Sequence, residues 1–369
     1  MHNPIRVLQL VTKMDYGGAE TMVMNYYRNI DREKVQFDFL LHRSHTMVYE
    51  DEIKALGGRI YRAMPLEPLK FGAYKRLLRR FLDEHGEYKI IHSQMSESGY
   101  FMFRQAKKHG VPVRICHAHN DPTGVWDIKM PVRTYFKIRI RKLTTHMFAC
   151  SRASGGWLFG KKNSPRLIIQ RNATDPRLFA FSAERRAKAR ESLGLDGKLV
   201  LGHIGRFVPQ KNHKMLMEIF SAVKSQRRDA VLLLIGEGEL REQTERQAAE
   251  LGISDSVMFL GTRSDVAELM QAMDAFVFPS HFEGLSVAVI EVVAAGLPCF
   301  VSDNVSHDVD ISPLIRRLPI TQGVSPWEDA LSEFAPIERQ DQTGTIADAG
   351  FDIRQNARWL EEFYLNAVL

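Results

Sequence analysis

One stretch of the sequence, Asp274 to Asp303 (DAFVFPSHFEGLSVAVIEVVAAGLPCFVSD), determines how the rest of the chain is interpreted. Its apolar run Ala275 to Ser280 predicts a buried strand that ends at a proline. The apolar segment from about Leu285 to Ala295 predicts a helix that ends at Gly296, with a proline behind it. The loop between strand and helix therefore offers backbone N–H groups and the positive end of a helix, an arrangement that suits a phosphate.

Two glutamates flank the start of this helix. Glu283 lies on the loop, and Glu291 lies inside the run VAVIEVVAA. An unpaired carboxylate in so apolar a helix would cost several kcal/mol, so Glu291 is expected to accept hydrogen bonds. The hydroxyl groups of a sugar or a ribose could supply them. The alternative is a structural glutamate bonded to a backbone N–H or to an arginine. The presence of two glutamates around one helix start favours a ligand.

The motif EGLSVAVIE, after a strand that ends in Pro-Ser, resembles the E-x7-E signature of the retaining glycosyltransferases of family 4. The resemblance covers essentially the whole chain and implies an α/β protein of GT-B architecture, with two Rossmann-like domains facing across a cleft. It implies that Glu283 contacts the transferred sugar and Glu291 the nucleotide ribose. The donor-binding loop would comprise Gly284, Leu285 and Ser286, of which the first two present N–H groups to the diphosphate.

Length and composition are those of a globular protein. The 369 residues suffice for two domains with full cores, and 44% hydrophobic and 25% charged residues are typical of soluble proteins. No apolar run approaches the roughly 20 residues needed to cross a bilayer. The first residues have a strand pattern without the features of a signal peptide, so we expect a cytoplasmic protein. The three cysteines are widely spaced in apolar segments, which predicts reduced core residues.

The charge is distributed unevenly. Residues 1–175 contain 30 Lys and Arg against 16 Asp and Glu, or +14, whereas residues 176–369 contain 20 against 28, or −8. Much of the excess lies in Lys75 to Phe81 and Lys129 to Leu143, where basic residues are interleaved with aromatic and aliphatic ones. Because no nucleic-acid motif is present, the favoured partner is an anionic membrane surface at its cytoplasmic face. A merely solvated helix face is the alternative.

Strand and helix patterns alternate through both halves of the chain, which predicts parallel sheets covered by helices on both faces. In the first half, a helix is expected to begin at Gly17-Gly18-Ala19-Glu20 and to end at about Asn29, and the predicted strands are IRVLQLV, VQFDFLLH, RIYRAM, KIIHSQ, VRICHAH and HMFACS. In the second half, the predicted strands are LVLGHIGRF, AVLLLIGEG, VMFLG, AFVFPS and PCFVSD. The segment RLIIQRNATDPRLF, which begins at Arg166, predicts a last strand followed by a linker. We therefore place an N-terminal, acceptor-binding domain at residues 1–172 and a C-terminal, nucleotide-sugar-binding domain at residues 173–352. The resemblance implies that the amphipathic tail, about residues 353–369, packs back on the first domain.

A basic loop follows the first strand of the second half. In GRFVPQKNH, Gly205 permits close backbone approach, and Arg206 and Lys211 lie five residues apart. Two such cations above a helix start can bind a diphosphate, the arginine through its forked N–H groups and the lysine as a point charge. Two solvated loop cations are the alternative. The family has a similar motif, with this Arg and Lys on the phosphates of the leaving nucleotide.

The turn Gly236-Glu237-Gly238 looks like the start of a dinucleotide-binding fingerprint, but Arg241 occupies the position of the third glycine. A nicotinamide-dependent oxidoreductase, one rival function, is therefore disfavoured. The resemblance instead places this glycine turn near the nucleotide. It also places Leu260 in the stretch whose backbone meets the base.

The same resemblance implies roles for two features of the first half of the chain. Gly17 and Gly18 are similar to a glycine loop that abuts donor and acceptor, with an ordinary turn as the alternative. His119 is similar to a strand-end histidine that faces the donor sugar. A structural histidine is the alternative there, and His117, on the same side of the strand, competes for the role.

No metal is expected. Asp308-Val309-Asp310 mimics a D-x-D metal motif, but its position after the segment that contains the two glutamates favours a solvated loop. No His, Cys and Asp cluster has metal-ligand spacing, and the two cations can take the role of a divalent ion.

The expected activity is transfer, with retention, from a nucleotide-diphosphate sugar (a UDP-sugar) to a glycan or lipid-linked acceptor. The segments GGAETMVMNYYRNIDREKVQFDFL and VPVRICHAHND look most like exopolysaccharide and capsule members. Two residues depart from the family pattern, Ala173 in place of a glycine and Gln94 in place of a frequent second histidine. A second rival function is a catalytically silent nucleotide-sugar-binding partner subunit, against which the intact glutamate pair and basic loop argue.

Overall fold

The computed structural model of the chain describes residues 3–15, 17–67, 70–119 and 130–368. The chain divides into two compact units, Met1–Ala173 with Asp352–Leu369, and Thr174–Phe351. Each border lies one residue from the position that the sequence predicted. Each unit is an α/β structure around one parallel sheet, and each is described here by itself.

A seven-stranded sheet forms the centre of the first unit. Its strands are β1 (Ile5–Val11), β2 (Val35–Leu41), β3 (Ile60–Arg62), β4 (Ile90–Ser93), β5 (Val113–Ala118), β6 (His146–Ala149) and β7 (Leu167–Ile169). Their order is β3-β2-β1-β4-β5-β6-β7, with every neighbouring pair parallel. Every residue of β2 is buried, as expected for a strand with helices on both faces of its sheet.

Helices connect these strands. They are α1 (Gly18–Asn29), α2 (Glu50–Ala55), α3 (Phe71–Glu84), α4 (Tyr100–Lys108), α5 (Met130–Arg141) and α6 (Arg152–Phe159). The sequence predicted α1 from its glycine start to Asn29, and the structure confirms it. Apolar residues of the helices and strands form two core clusters, one on each face of the sheet.

A six-stranded parallel sheet forms the centre of the second unit. Its strands are β8 (Leu199–Ile204), β9 (Ala230–Ile235), β10 (Val257–Phe259), β11 (Ala275–Phe278), β12 (Cys299–Ser302) and β13 (Ile315–Leu318), in the order β10-β9-β8-β11-β12-β13. The sequence predicted the first five. It missed β13 because IRRL lies at the sheet edge, carries two arginines and is fully buried only at its last residue.

The helices of the second unit complete a doubly wound fold. They are α7 (Pro176–Phe179), α8 (Ala183–Leu193), α9 (His213–Gln226), α10 (Arg241–Glu250), α11 (Val266–Ala272), α12 (Val287–Ala294), α13 (Ser325–Ser332) and α14 (Thr343–Asp348). The last helix, α15 (Ile353–Ala367), belongs to the first unit. Its predicted apolar stripe packs into the core beside β1 and β2, with Ile353, Ala357, Leu360 and Tyr364 buried and Phe363 partly buried.

The strand–loop–helix unit that opened the sequence analysis is present, with one correction. The helix was expected from about Leu285, but α12 begins at Val287, because Ser286 has an extended backbone (φ −82°, ψ 109°) and precedes the helix as its N-cap. At the other end Gly296 has φ +65° and terminates the helix as expected.

The strand order places one switch point in each sheet. Connections turn in opposite directions from β1 and β4 in the first sheet, and from β8 and β11 in the second. Ligands of doubly wound sheets bind beyond the carboxyl ends of the strands at such a point. The loops that follow these four strands are therefore the places to look for a site.

Candidate active site

Two loops meet at the switch point of the second sheet. One follows β8 and contains Arg206 and Lys211, and the other follows β11 and contains Glu283. Three hydrogen bonds tie them together: Asn212 Nδ2 to the Pro279 carbonyl at 3.0 Å, the His281 N–H to the Gln210 carbonyl at 2.9 Å, and Gln210 Nε2 to the Phe282 carbonyl at 3.0 Å. The pairing of β8 with β11 thus brings together residues that are far apart in sequence.

Lys211 and Glu283 form an ion pair. Nζ of Lys211 lies 2.7 Å from Oε1 of Glu283, and the side chains are only 17% and 11% exposed. The same ammonium group lies 4.6 Å from the centre of the Phe278 ring, within cation–π range. The lysine stem crosses Gly205 so closely that a Cβ there would lie 3.2 Å from both Cδ and Cε of Lys211. The lysine is therefore held in place by its stem, an aromatic ring and a carboxylate.

Arg206 presents a second positive charge on the same loop. Its side chain is exposed, and in the described parts of the chain its guanidinium makes no hydrogen bond or ion pair. All of its N–H donors remain open to a ligand or to solvent. The site therefore contains one cation that is paired and one that is not.

The two glycines of the Gly236-Glu237-Gly238 turn allow it to pack on the basic loop. A Cβ at Gly236 would lie 2.2 Å from the Gly205 carbonyl oxygen, and one at Gly238 would lie 2.5 Å from the Phe207 oxygen. Their φ angles are +141° and +158°. The Phe207 N–H donates to the Glu237 carbonyl at 3.0 Å. The turn thus supports the backbone on either side of Arg206, a role that the sequence did not predict.

The start of α12 borders the same loop. Gly284 is exposed, and no atom lies within 4 Å of the position that its Cβ would occupy. The Ser286 side chain is buried but does not cap the helix. Leu285 and, after β10, Leu260 are partly buried against the core of the unit. The open glycine and the uncapped helix start leave room for a phosphate group.

Glu291 lies in α12 and is half-buried. Burial raises its pKa to about 8, against a hydrogen bond with the Thr174 side chain that lowers it. Glu291 is therefore mostly protonated near neutral pH in the ligand-free protein. No arginine contributes to this pKa shift. Thr174 was missed because it lies more than a hundred residues away, at the start of the second unit.

His119 follows β5 in the first unit and is half-buried. Its Nε2 lies 2.7 Å from Oε1 of Gln94, whose Nε2 donates to Oε1 of Gln9 at 2.9 Å. Because an amide oxygen only accepts, Nε2 of His119 carries the proton and Nδ1 is an acceptor. Nδ1 is buried and has no partner among the described residues. Burial lowers the pKa of His119 to about 4, so the ring is neutral at pH 7.

His117, the competing histidine, lies deeper. It is 0% exposed, its Nδ1 is 3.2 Å from Nε2 of His92, and its ring stacks on His119 at 4.4 Å between centres. His92 in turn contacts the hydroxyl of Tyr364 in α15 at 2.7 Å. Of the two histidines, His119 is the one that retains surface exposure. The sequence did not predict Gln9, His92 or Tyr364 as its supports.

Gly17 and Gly18 lie after β1, at the switch point of the first sheet. Gly17 is the extended N-cap of α1, and Gly18 is exposed with no atom within 4 Å of a Cβ position. The residue before them, and the polar pair that follows His119, lie outside the described residues. The glycine turn and His119 therefore both follow strands near this switch point, since β4 lies between β1 and β5.

The D-x-D segment is occupied by internal contacts. Asp310 pairs with Arg317 at 2.7 Å and with His307 at 2.6 Å, and Asp308 lies in the short turn His307–Val309. The described residues contain no group of three or more His, Cys, Asp or Glu side chains that could hold a metal ion. The three cysteines are free and buried, as the sequence predicted.

The basic surface of the first unit includes exposed apolar side chains. On α5, three residues spaced three apart are about half exposed, Val132 (52%), Tyr135 (48%) and Ile138 (51%). The Arg139 guanidinium lies 5.2 Å from the centre of the Tyr135 ring. On α3, Arg76, Arg79 and Arg80 are exposed. None of the helices in the described residues has the length and apolar character needed to cross a membrane.

Comparison with known proteins decides the family. Residues 16–177 match the model of Glycosyltransferase Family 4, and residues 185–311 match that of Glycosyl transferases group 1. A Bacillus subtilis (strain 168) protein named "Putative glycosyltransferase EpsF" is 34% identical, with 97% of this chain and 96% of that protein aligned. The chain belongs to glycosyltransferase family 4. The oxidoreductase alternative is therefore wrong.

A second relative is also named as a sugar-transferring enzyme, and a solved structure matches in fold. An Escherichia coli protein, UDP-Gal:alpha-D-GlcNAc-diphosphoundecaprenol alpha-1,3-galactosyltransferase, is 26% identical over 59% of this chain and 58% of its own length. The crystal structure of Anabaena Alr3699/HepE in complex with UDP and glucose matches with a TM-score of 0.77 at 18% identity, covering 98% of this chain and 100% of that one. The GT-B fold class predicted from the sequence is confirmed.

Proposed function

We propose that this family 4 member transfers a sugar from a UDP-sugar to a glycan or lipid-linked acceptor, with retention of configuration, in the synthesis of a cell-surface polysaccharide. The observation that carries the proposal is the Lys211–Glu283 ion pair beside the open Gly284 and the start of α12. A cation, a carboxylate and a helix start are what a diphosphate joined to a sugar requires of a site.

The donor residues divide by charge. Arg206, Lys211 and the N–H groups of Gly284 and Leu285 bind the diphosphate. Glu283 accepts hydrogen bonds from hydroxyls of the transferred sugar, and Glu291 binds the ribose. At its raised pKa, a protonated Glu291 can donate one hydrogen bond to the ribose diol and accept another. Burial of this carboxyl group thus suits it to a neutral diol.

The reaction breaks the bond between the anomeric carbon and the diphosphate oxygen, and the electron pair leaves with the nucleoside diphosphate. Lys211, Arg206 and the helix start stabilise the charge that develops on that oxygen. The acceptor hydroxyl attacks from the face that the leaving group vacates, and its proton passes to the departing phosphate oxygen. Configuration is then retained without a covalent intermediate. No divalent metal takes part, because the two cations neutralise the leaving group.

The first unit binds the acceptor. His119 is neutral and its Nδ1, which is buried in the ligand-free protein, can only accept a hydrogen bond, so it is matched to a sugar hydroxyl and not to a carboxylate. The exposed basic and apolar residues of α3 and α5 bind an anionic membrane surface at its cytoplasmic face, where a lipid-linked acceptor is anchored. The name of the Escherichia coli galactosyltransferase, which includes a diphosphoundecaprenol-linked sugar, supports such an acceptor.

A thermal-shift screen of UDP-, GDP- and ADP-sugars tests the donor assignment, since a ligand that binds only the native state raises its apparent stability. We expect UDP-sugars to stabilise the wild-type protein and Lys211→Ala to lose the effect. Lys214→Ala removes an exposed lysine three residues later and is the matched control. Equal stabilisation of both variants, or none by any nucleotide sugar, would contradict the assignment. Binding without any release of UDP on addition of acceptors would favour the silent partner subunit.

A further inference from the structure

A second cluster of charge lies at the opposite end of β11 from the proposed donor site. Asp274 immediately precedes β11, and its carboxylate is 3% exposed. It accepts from Arg186 Nη2 at 2.5 Å, from Arg190 Nη1 at 3.3 Å and from the Val200 N–H at 2.8 Å. Beside it is a cavity of about 110 Å³, lined by Phe181, Arg186, Asp274 and residues 336–339.

Arg339 is the side chain in this cavity without adequate partners. It is 9% exposed, its Nη1 donates to the Met270 carbonyl at 3.3 Å, and its Nη2 is buried with no partner among the described residues. Its guanidinium lies 5.1 Å from the centre of the Phe181 ring. Burial, followed by the charge of Arg186, lowers the pKa of Arg339 to about 9, despite the carboxylate of Asp274. At neutral pH it is therefore a buried and incompletely paired cation.

The charges do not balance. Three guanidinium groups, those of Arg186, Arg190 and Arg339, share one buried carboxylate, that of Asp274. Arg186 and Arg190 also donate to backbone carbonyls, so their N–H groups are largely satisfied. Glu338 lines the cavity as well, but it is exposed. With the carboxylates of Asp274 and Glu338 both counted against the three guanidinium groups, a net positive charge of about one remains around a space that could hold an ion. Burying such a charge without a counterion is costly.

We propose that this cavity binds a phosphoryl oxyanion, either inorganic phosphate or the phosphate group of a monoester. A small oxyanion matches the excess positive charge, and the free edge of the Arg339 guanidinium matches phosphate oxygens. The volume is several times the ~30 Å³ of a water molecule and well below the ~300 Å³ at which pockets for larger ligands begin. The size therefore selects a single small group.

The site is separate from the proposed donor site. Asp274 lies at the amino end of β11, whereas Glu283 follows its carboxyl end. The loop that carries Arg339 packs closely on Gly296, two residues after α12, because a Cβ at Gly296 would lie only 2.7 Å from the Gln340 carbonyl oxygen. Arg339 is thus held over the cavity by the packing of its own loop. The proposal does not depend on the donor assignment.

The test is thermal unfolding in sodium phosphate, in glycerol phosphate and in sodium acetate, each against sodium chloride at equal ionic strength. Four proteins are compared: wild type, Arg339→Met, Arg185→Met and the double variant Arg206→Ala/Lys211→Ala. Arg185 is the matched control, because it lies on α8 but pairs with Glu268 and does not line the cavity. The double variant removes the other group of cations that could bind phosphate.

We expect phosphate to raise the Tm of the wild type, of Arg185→Met and of the double variant, and to bind Arg339→Met about tenfold more weakly or worse. In chloride, Arg339→Met should unfold at the wild-type temperature or above it, because it removes a poorly paired buried charge. That result also shows that the variant folds. Glycerol phosphate as effective as phosphate identifies a monoester site, and phosphate alone identifies a site for the free ion.

Three outcomes would overturn the proposal. The first is a phosphate effect that disappears in the double variant and survives in Arg339→Met, which would place the anion at the basic loop after β8. The second is an acetate effect equal to that of phosphate, which would make the cavity a general anion or carboxylate site. The third is no stabilisation by any oxyanion, which would mean that water or the exposed Glu338 satisfies Arg339.

Discussion

Replacing Glu291 with glutamine should change how stability depends on pH, without any donor present. The native pKa of about 8 lies about 3.5 units above the ordinary value of 4.5. At about 1.36 kcal/mol per unit, this shift corresponds to at most about 5 kcal/mol. Of this, about 2 kcal/mol is lost between pH 5.5 and pH 7, at about 1.36 kcal/mol per pH unit. For a domain of this size, about 2 kcal/mol is equivalent to roughly 4–8 °C in Tm.

The direction of this pH dependence follows from how many protons the native and unfolded states bind. Between the unfolded pKa and the native pKa, the native state binds more protons at Glu291 than the unfolded state does. Stability from this group is therefore complete below about pH 4.5 and is lost as the pH rises toward 8. Glu291→Gln is always neutral, so it has no such loss. The Tm of the wild type should therefore fall relative to that of the variant as the pH increases across this range.

Differential scanning calorimetry at about pH 5.5, 7 and 8.5 measures the difference in Tm between wild type and variant. Glu250→Gln, at an exposed position in the same unit, controls for the amide substitution itself. Thr174→Val removes the hydroxyl that lowers the pKa of Glu291, so its loss of stability should still begin near pH 4.5 but should continue to a higher pH than in the wild type. A wild-type minus Glu291→Gln difference that is the same at all three pH values would refute the claim that this carboxyl group is protonated by burial.

Four further predictions concern activity and binding. Lys211→Ala and Arg206→Ala should each reduce turnover by about 10²-fold or more, and unchanged kinetics in both would remove the cations from the mechanism. Excess chelator should leave most of the rate, whereas a loss restored only by Mg²⁺ or Mn²⁺ would contradict metal independence. Glu291→Gln should mainly raise KM, while Glu283→Gln should lower kcat as well, and the reverse pattern would exchange their roles. Co-sedimentation should show binding to anionic but not to neutral vesicles, and salt should weaken it. Serine at the three exposed apolar residues of α5 should reduce this binding, whereas Leu178→Ser, at an exposed position in the other unit, is the control. Equal binding to both vesicle types would contradict the prediction.

Periodicity was sufficient to predict most of the fold. Apolar runs separated by helical patterns predict twelve of the thirteen strands that the described residues contain. The edge strand β13 could not be predicted in this way, because arginines interrupt its apolar pattern and it is only partly buried. The start of α12 was placed two residues early because Leu285 is apolar, although the backbone turns into the helix only after Ser286.

The sequence could not predict which side chains pair with one another in the candidate site. The types of Lys211, Glu283 and Glu291 indicated a donor site, but not which of them would touch. Their contacts depend on the order of strands in the sheet, which local patterns do not specify. The same limit applies to the hydroxyl of Thr174 on Glu291. It applies most strongly to Arg339, since an arginine in a polar loop gives no sign that its side chain is buried.

The contact between Lys211 and Glu283 affects how the site would bind a nucleotide-sugar donor. In the ligand-free protein, the cation assigned to the diphosphate neutralises the carboxylate assigned to the sugar, at 2.7 Å in a site that is mostly shielded from water. Each partner prevents the other from being a buried, unpaired charge, which is the costly state. A bound nucleotide sugar would give Lys211 a phosphate and Glu283 a set of hydroxyls, so both could be satisfied without either moving far. Removing Lys211 therefore takes away a phosphate ligand and also leaves the Glu283 carboxylate without its partner charge. For this reason the effect of Lys211→Ala on turnover should exceed what the loss of one phosphate contact alone would cause.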